Sequence, residues 1–268
     1  MRIGVFDSGF GGLTVLRALM EWIPGAEYLY LGDTARLPYG AKSRETVTRY
    51  ATSSARYLAE QGAEYLVVAC NTASALALDA MREAVEVPVL GVVETGANAA
   101  NAHSASRDVL VIATAATVES HAYARACGER RMRALEKACP LLVPLVEEGW
   151  IEHPVTLEVL QIYMSELLAE AGEKGLQPDT LVLGCTHYPL LRKQIERAVP
   201  TSLRVIDSAD VTAEQVAKTL AAPEKAERPG VRAEARFFAT DSVAKFRALG
   251  SRFLGRPIEG VELVDLGG

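Results

Sequence analysis

Two cysteines of this 268-residue chain stand in matching contexts, and thiols placed in this way suggest acid–base chemistry. Cys70 ends the apolar run of VVACNTAS, and Cys185 ends the apolar run of LVLGCTHYP. Each run predicts a buried strand, and each cysteine precedes a small polar residue and the start of a predicted helix. The amides and dipole at a helix start lower the pKa of a thiol, so we expect both cysteines to ionise readily.

The residues beside the two cysteines add groups that bind charge or transfer protons. Asn71 and Thr72 offer hydrogen-bond donors and acceptors for the ammonium and carboxylate of a zwitterion. Thr186 and His187 follow the second cysteine, and a histidine exchanges protons near neutral pH. A single cysteine at a strand end is more often a small buried apolar residue. The repetition of the context favours a functional interpretation for the pair.

Thiols on opposite sides of one ligand suit proton transfer at a stereocentre. Inversion without a cofactor needs one base to remove a proton and one acid to return a proton to the opposite face. Because such a reaction runs both ways, the two groups should be chemically alike, as two thiols are. Two other classes stay open. One is a redox protein that joins the cysteines in a disulfide, and the other is a two-lobed binding protein in which they are structural.

Further polar residues follow other predicted strands, at the edge where open α/β sheets bind ligands. Asp7 and Ser8 follow the first strand in DSGFGG, where glycines let the backbone turn sharply. In LPYG, Pro38 predicts a tight turn that presents the Tyr39 hydroxyl and the backbone of Gly40 to a ligand. The remaining candidates at strand ends are Thr114, Thr117 and Glu147 of PLVEEG.

Alternating strands and helices must position these residues, and this alternation predicts an α/β protein. We expect two similar lobes, each a mostly parallel sheet flanked by helices, with the active site in the cleft between them. The first lobe comprises residues 1–95 and 208–268, the second comprises residues 96–207, and a surface loop covers residues 221–232. Predicted strands cover residues 2–6, 27–31, 65–69, 87–92, 109–113, 141–145, 180–183, 203–206, 235–239 and 261–264. Predicted helices cover residues 13–22, 43–60, 72–84, 117–126, 155–171, 190–198, 209–221 and 242–254.

Composition narrows the class of protein and of partner. With 49% hydrophobic and 23% charged residues, the chain is typical of a globular protein. The net charge of −6 gives no sign of a nucleic-acid surface, so a small-molecule substrate is expected instead. No apolar run reaches the ~18 residues of a membrane span, and no leader precedes the first strand. We therefore expect a cytoplasmic protein with no membrane partner.

Metal ions and dinucleotide cofactors are not expected. The four cysteines form no C-x-x-C pair, and His187 alone beside Cys185 does not complete a zinc quartet. The glycines of DSGFGG do not match the G-x-G-x-x-G fingerprint of dinucleotide sites. The cysteines of a cytoplasmic protein are expected to be free thiols, with Cys127 and Cys139 structural.

Five motifs together resemble those of the glutamate racemases, within the cofactor-independent aspartate/glutamate racemase superfamily. They are VFDSGFGGLTVL, LGDTARLPYGAKS, VVACNTASA, PLVEEG and LVLGCTHYPLL, and the similarity extends from the first strand to FLG at 253–255. The resemblance implies interconversion of L- and D-glutamate without a cofactor, which supplies D-glutamate for peptidoglycan. It also implies a two-lobed α/β fold, with the tail of the chain returning to the first lobe, and a possible homodimer.

The resemblance assigns a role to each candidate residue. Cys70, assisted by Asp7, would take the α-proton of the D enantiomer. Cys185, assisted by His187 and Glu147, would take that of the L enantiomer. The substrate's carboxylates and ammonium would be held by Asp7, Ser8, Tyr39, Gly40, Asn71, Thr72, Thr114, Thr117, Thr186 and His187.

One departure from the family pattern affects the loop at 113–114. This chain has Ala113-Thr114 where the family usually has Gly-Thr, so a methyl group is added beside the loop that carries the two second-lobe threonines. Aspartate racemase is the alternative within the superfamily, because related enzymes share the thiol pair. The LPYG, CNTAS and CTHYP contexts favour glutamate.

Overall fold

Two parallel sheets flanked by helices form the part of the protein that the computed structural model describes, residues 1–222 and 233–267. The strands are β1 (Arg2–Asp7), β2 (Glu27–Gly32), β3 (Tyr65–Val68), β4 (Val89–Gly91), β5 (Asp108–Ala113), β6 (Arg133–Ala138), β7 (Thr180–Gly184), β8 (Arg204–Asp207), β9 (Glu234–Ala239) and β10 (Glu262–Leu263). The helices are α1 (Leu13–Trp22), α2 (Arg44–Glu60), α3 (Asn71–Ala84), α4 (Val92–His103), α5 (Ala115–Glu119), α6 (Ala122–Gly128), α7 (Leu142–Glu147), α8 (Pro154–Glu173), α9 (Arg192–Ala198), α10 (Ser208–Thr219) and α11 (Val243–Leu254). Short 3₁₀ turns occupy Thr34–Arg36, Tyr39–Ala41 and Tyr188–Leu191.

The order of the strands confirms the expected α/β class. Within the described residues, the first sheet runs β10-β9-β2-β1-β3-β4 and the second runs β6-β5-β7-β8. Every described strand pair is parallel. Helices on both faces bury such strands, which explains why their sequences are continuous apolar runs without polar alternation.

Strand β1 lies inside the first sheet, between β2 and β3. Ile3 pairs with Tyr28 of β2 and with Tyr65 of β3. All of β3, and all of β1 after Arg2, is buried. Because the carboxyl ends of parallel strands meet at one edge of a sheet, Asp7 lies beside the residues that follow β3.

Strand β5 has the corresponding position in the second sheet. It pairs with β6 on one side and with β7 on the other, where Val109 faces Thr180 and Ala113 faces Gly184. Both β5 and β7 are fully buried. The residues that follow these two strands, Thr114 and Cys185, therefore lie at the same sheet edge.

The tail of the chain extends the first sheet. Strand β9 pairs with β2, and β10 pairs with β9. Helix α11 packs against α1, and its Phe246 ring lies 5.9 Å from the ring centres of both Phe10 and Tyr30. These contacts place α11 against the first sheet, beside the loop that contains Phe10. The division of the chain at residues 95 and 207 stays a prediction.

Two of the predicted elements are wrong, and helix α4 was not predicted. Residues 141–145 are not a strand, because Leu142–Glu147 forms helix α7, and the edge strand is instead β6. The strand predicted over 87–92 is present as the shorter β4, and α4 begins directly after it at Val92. The helix predicted over 117–126 is two helices, α5 and α6, separated at His121, which has a left-handed φ of 53°.

The remaining expectations concern the surface and the membrane. Most of the predicted surface loop, residues 223–232, lies outside the described residues. Among the helices that the structure does describe, none is both long and apolar enough to cross a membrane.

Candidate active site

Cys70 is the N-cap residue of α3, directly beyond the end of β3. Its sulfur accepts a hydrogen bond from the backbone N–H of Ala73 at 3.5 Å. Its thiol lies 3.4 Å from the Ser8 hydroxyl oxygen. The residue is 5% exposed, so one side of the sulfur faces the helix start and little of it faces solvent.

Asp7 is the acidic residue behind Cys70. The side chain is completely buried at the end of β1, and Oδ2 accepts the backbone N–H of Gly9 at 2.9 Å. Burial raises the pKa of the Asp7 carboxyl, although the charge of His187 and nearby backbone amides lower it in part. Among the described residues, Asp7 Oδ1 has no hydrogen-bond partner. One buried carboxylate oxygen is therefore available to a proton.

The expected low pKa of Cys70 is wrong. Burial and, to a lesser degree, the neighbouring charge of Asp7 raise the pKa of this thiol to about 12. The hydrogen bonds from Ser8 and Ala73 lower the pKa, but by less. Desolvation thus outweighs the helix start, and Cys70 is a thiol at neutral pH.

Cys185 directly follows β7. Its acid–base neighbour is a histidine, whereas the acidic neighbour of Cys70 is an aspartate. Its sulfur is 3.9 Å from His187 Nδ1, and His187 Nε2 is 3.2 Å from Glu147 Oε1. Burial acts to lower the pKa of His187, but the contacts with Cys185 and Glu147 raise it to about 10. The histidine is therefore an imidazolium at neutral pH, placed between the Cys185 sulfur and the Glu147 carboxylate.

Helix α7 positions Glu147, which sequence reasoning had placed after a strand. Burial acts to raise the pKa of this carboxyl, but His187 and Lys245 hold it below its ordinary value. Lys245 Nζ lies 3.7 Å from Glu147 Oε2. The ring of Phe253 meets the His187 ring edge-on, with centroids 5.1 Å apart. Sequence reasoning missed Lys245 and Phe253, because α11 carries no local motif that points to this site.

Three threonine hydroxyls meet across the two sheets. Thr72 of α3 lies 3.0 Å from Thr114 and 3.3 Å from Thr117, measured between Oγ1 atoms. Thr114 and Thr117 lie 3.0 Å apart. The first sheet supplies one hydroxyl and the second sheet supplies two. The structure therefore brings Thr72 to two threonines that lie 42 and 45 residues further along the chain, as a cluster suited to a carboxylate.

Asn71 contributes a free amide donor to the same region. Its Oδ1 accepts the hydroxyl of Tyr123 at 2.7 Å, which fixes the side chain. Its Nδ2 is buried without a hydrogen-bond partner among the described residues. Tyr123 was also missed, because nothing in its local sequence separates it from an ordinary buried tyrosine.

The turn at 38–40 differs in part from the expectation. The Tyr39 hydroxyl was predicted to face a ligand. It instead donates a hydrogen bond to Asp33 Oδ2 at 2.5 Å. Gly40 instead supplies a close approach between the two sheets. A Cβ built at Gly40 would lie 2.9 Å from the Cβ of Thr114, a distance that real side chains do not tolerate.

A cleft of about 540 Å³ joins these groups. Both cysteines line it, together with Ser8, Tyr39, Gly40, Asn71, Thr72, Thr114, Glu147, Thr186, His187 and Lys245. Asp7 and Thr117 are fully buried behind this lining. Across residues 1–222 and 233–267 there is no group of three or more His, Cys, Asp or Glu side chains that would hold a metal ion. Cys127 and Cys139 are buried outside the cleft.

Comparison with known proteins places this site within a family. Residues 3–216 match the family model described as Asp/Glu/Hydantoin racemase. The chain belongs to this family. It is 53% identical to a glutamate racemase from Koribacter versatilis, over 99% of this chain and 98% of that protein.

Solved structures of this racemase family share the fold. A glutamate racemase from Thermus thermophilus in complex with β-chloro-D-alanine is 45% identical, with a TM-score of 0.85 over 99% of this chain and 97% of that chain. A glutamate racemase from Francisella tularensis in complex with D-glutamate is 34% identical, with a TM-score of 0.86 over the same shares. The resemblance read from the sequence motifs is therefore confirmed.

Proposed function

We propose that the protein interconverts L- and D-glutamate by proton transfer between two cysteines, without a cofactor. The observation that carries the proposal is one cleft lined by Cys70 and Cys185, each at the carboxyl end of a different sheet. Each thiol has its own acid–base neighbour, Asp7 or His187. The high identity to glutamate racemases supports glutamate as the substrate.

In the proposed reaction, one cysteine removes the α-proton and the other returns a proton to the opposite face. Starting from L-glutamate, the Cys185 thiolate takes the α-proton and becomes a thiol, which leaves a carbanion. The Cys70 thiol then protonates that carbanion and becomes a thiolate, which gives D-glutamate. Starting from D-glutamate, the same steps run in reverse. No electron is gained or lost, and the two sulfurs exchange protonation states in each turnover.

The two halves of the site suit these roles through different neighbours. His187 is an imidazolium beside Cys185, and a positive charge stabilises a thiolate before it attacks L-glutamate. Burial keeps the proton on Cys70, and the ammonium of a bound substrate would supply the positive charge that favours its thiolate. Asp7 offers an unpaired oxygen that relays or holds a proton behind Cys70.

Substrate binding is assigned to polar groups of the cleft wall and of the layer directly behind it. The hydroxyls of Thr72 and Thr114 and the Nδ2 of Asn71 are donors for the substrate's carboxylates, and Thr117 contacts both of these hydroxyls from behind the lining. Ser8, Thr186 and the backbone around Gly40 complete the set. These hydrogen bonds also stabilise the negative charge that spreads onto the α-carboxylate when the α-proton leaves.

The proposal is tested by incubating the protein with each glutamate enantiomer in deuterated water without added cofactor. Circular dichroism follows racemisation, and NMR follows exchange of the α-proton. We expect both enantiomers to racemise, with turnover strongly reduced in Cys70→Ser and Cys185→Ser. Lack of exchange with either enantiomer would exclude glutamate, and aspartate would then be tested in the same way. A readily formed disulfide between Cys70 and Cys185, without exchange, would favour the redox alternative.

The proposed product places the enzyme in a cellular process. D-Glutamate is a building block of peptidoglycan, whose precursors are made in the cytoplasm, so we assign the activity to that compartment. A homodimer remains part of the proposal, and light scattering of the purified protein measures it.

A further inference from the structure

Helix α11 brings a positive charge from the tail of the chain to the Cys185 half of the site. Lys245 Nζ lies 3.7 Å from Glu147 Oε2, while Glu147 Oε1 lies 3.2 Å from His187 Nε2. The carboxylate therefore stands between two cations and uses one oxygen for each. The chain of contacts runs from α11, which packs on the first sheet, to a histidine that follows a strand of the second sheet.

Other contacts of α11 lie around the same part of the site. The Lys245 ammonium lies 5.7 Å from the ring centre of Phe10, and Phe253 packs edge-on against His187. Arg252 Nη1 lies 3.5 Å from the backbone oxygen of Val146, next to Glu147. One face of a single helix thus contacts the histidine, the carboxylate and the backbone of α7. On the Cys70 side, α11 contacts Phe10 of the loop that follows Asp7, through Phe246 and Lys245.

We propose that Lys245 is a positioning residue for the half of the reaction that Cys185 carries. The inference rests on the proposed racemase function. Lys245 adds to the effect of His187, which is the larger, in favouring the ionised form of Glu147, and it leaves the other carboxylate oxygen directed toward His187. Because Glu147 interacts with Lys245 as well as with His187, its carboxylate attracts the proton of His187 less strongly than it would without the lysine.

The charges around Glu147 support this assignment. Burial acts to raise the pKa of Glu147, and the charges of His187 and Lys245 oppose it. Loss of the lysine charge would therefore move the pKa of Glu147 upward, and the carboxyl would accept a proton at a higher pH than before. The charged groups near this carboxyl are His187, Lys245, Glu148 of the cleft wall and Arg252, with Asp7 acting on His187 from the first sheet.

A thermodynamic constraint determines which measurement reveals the role. The two enantiomers of glutamate have equal free energy, so any variant must change kcat/KM equally in both directions. An effect on one cysteine is visible instead in the α-deuterium isotope effects. With L-[α-²H]glutamate the deuteron moves to Cys185, and with D-[α-²H]glutamate it moves to Cys70.

The experiment compares wild type with Lys245→Met and Lys245→Arg. We expect Lys245→Met to lower kcat/KM about three- to tenfold in both directions. Because the Cys185 step becomes slower, the isotope effect should rise for L-glutamate and fall for D-glutamate. The acid limb of the kcat/KM pH profile should move to higher pH. Lys245→Arg should restore both the isotope effects and the pH profile.

Arg252→Met is the matched control on the same helix face. It removes a contact between α11 and α7 but leaves the carboxylate of Glu147 its lysine. Equal changes in Arg252→Met and Lys245→Met would overturn the proposal in favour of helix docking. A higher KM with unchanged isotope effects in Lys245→Met would overturn it in favour of direct substrate binding. If wild type racemises glutamate and Lys245→Met behaves identically, the inference fails while the proposed function stands.

Discussion

At the scale of single residues, the sequence locates the two cysteines at strand ends but does not reveal their protonation. Both cysteines line one cleft, and His187 contacts Glu147 as the family resemblance implied, while the catalytic roles of these residues stay a prediction. The pKa of Cys70 was expected to be low, yet burial beside Asp7 raises it to about 12. Desolvation depends on neighbours that are distant in sequence, so a local motif cannot reveal it. The tail residue Lys245 escaped notice for the same reason.

Glu147→Gln tests the carboxylate that supports His187. The amide removes the negative charge that raises the pKa of His187, so that pKa should fall from its present value of about 10. We expect kcat/KM to drop about 100-fold, since a positioned acid–base group contributes roughly this factor. The measurement is the pH profile of racemisation, with NMR titration of the His187 ring. An unchanged titration would contradict the assigned contact.

Tyr39→Phe tests the hydrogen bond that replaced an expected substrate contact. Because the Tyr39 hydroxyl donates to Asp33, its removal leaves a buried carboxylate oxygen with one donor fewer. The free energy of unfolding should fall by about 1–3 kcal/mol. KM for both enantiomers should change little, since the hydroxyl is engaged away from the ligand. A large rise in KM, with no change in the free energy of unfolding measured in urea, would indicate that the hydroxyl contacts the substrate instead.

At the scale of helices and strands, buried elements were predictable and edge elements were not. The fully buried strands β3, β5 and β7 match apolar runs in the sequence. The edge strand β6 reads RALEKA and buries only Leu135, so it has no apolar run to detect. The apolar run at 141–145 belongs to α7, where Leu142 and Val146 are buried one helical turn apart. A short apolar run does not distinguish a strand from a buried helical turn.

Helix α4 shows how packing overrides local preference. Its sequence VVETGANAANAH contains glycine and asparagine, which are poor helix formers. Gly96 has a structural reason, because a Cβ there would lie 3.1 Å from the Tyr123 ring. The helix is therefore stabilised by its packing against α6, and this contact cannot be predicted from the local sequence.

Gly40→Ala tests the close approach between the turn at 39–41 and helix α5. The added methyl would push Thr114 away, because their Cβ atoms would be only 2.9 Å apart. We expect kcat/KM to fall about tenfold or more, since small misplacement of binding groups is costly. Gly25→Ala is the matched control, because a Cβ at Gly25 has no atom within 4 Å. Equal activity of the two variants would contradict a positioning role for this contact.

At the scale of the whole molecule, the raised pKa values link stability to pH. His187 moves from an ordinary pKa of 6.5 to about 10 on folding, and Cys70 moves from 9.0 to about 12. Each group holds its proton more tightly in the folded protein. Each therefore stabilises the fold below its ordinary pKa and loses that contribution as pH rises through its folded pKa.

We therefore expect the free energy of unfolding to decline between pH 6.5 and 10 as the contribution of His187 is lost. The variant His187→Gln should show a shallower decline over the same range. Urea unfolding at several pH values measures both slopes. Parallel slopes for wild type and variant would show that His187 has the same proton affinity in the folded and unfolded chains.

The burial of the two sulfurs also bears on survival under oxidative stress. Cys70 and Cys185 are 5% and 6% exposed, and burial raises the pKa of the Cys70 thiol. Peroxide attacks thiolates that solvent reaches, so a buried and protonated Cys70 is a poor target. In the proposed reaction a Cys70 thiolate forms when its proton passes to the substrate, and the bound amino acid then lies between the sulfur and solvent. An organism under peroxide attack would then lose this activity more slowly than that of enzymes whose reactive sulfur is permanently ionised and open to water.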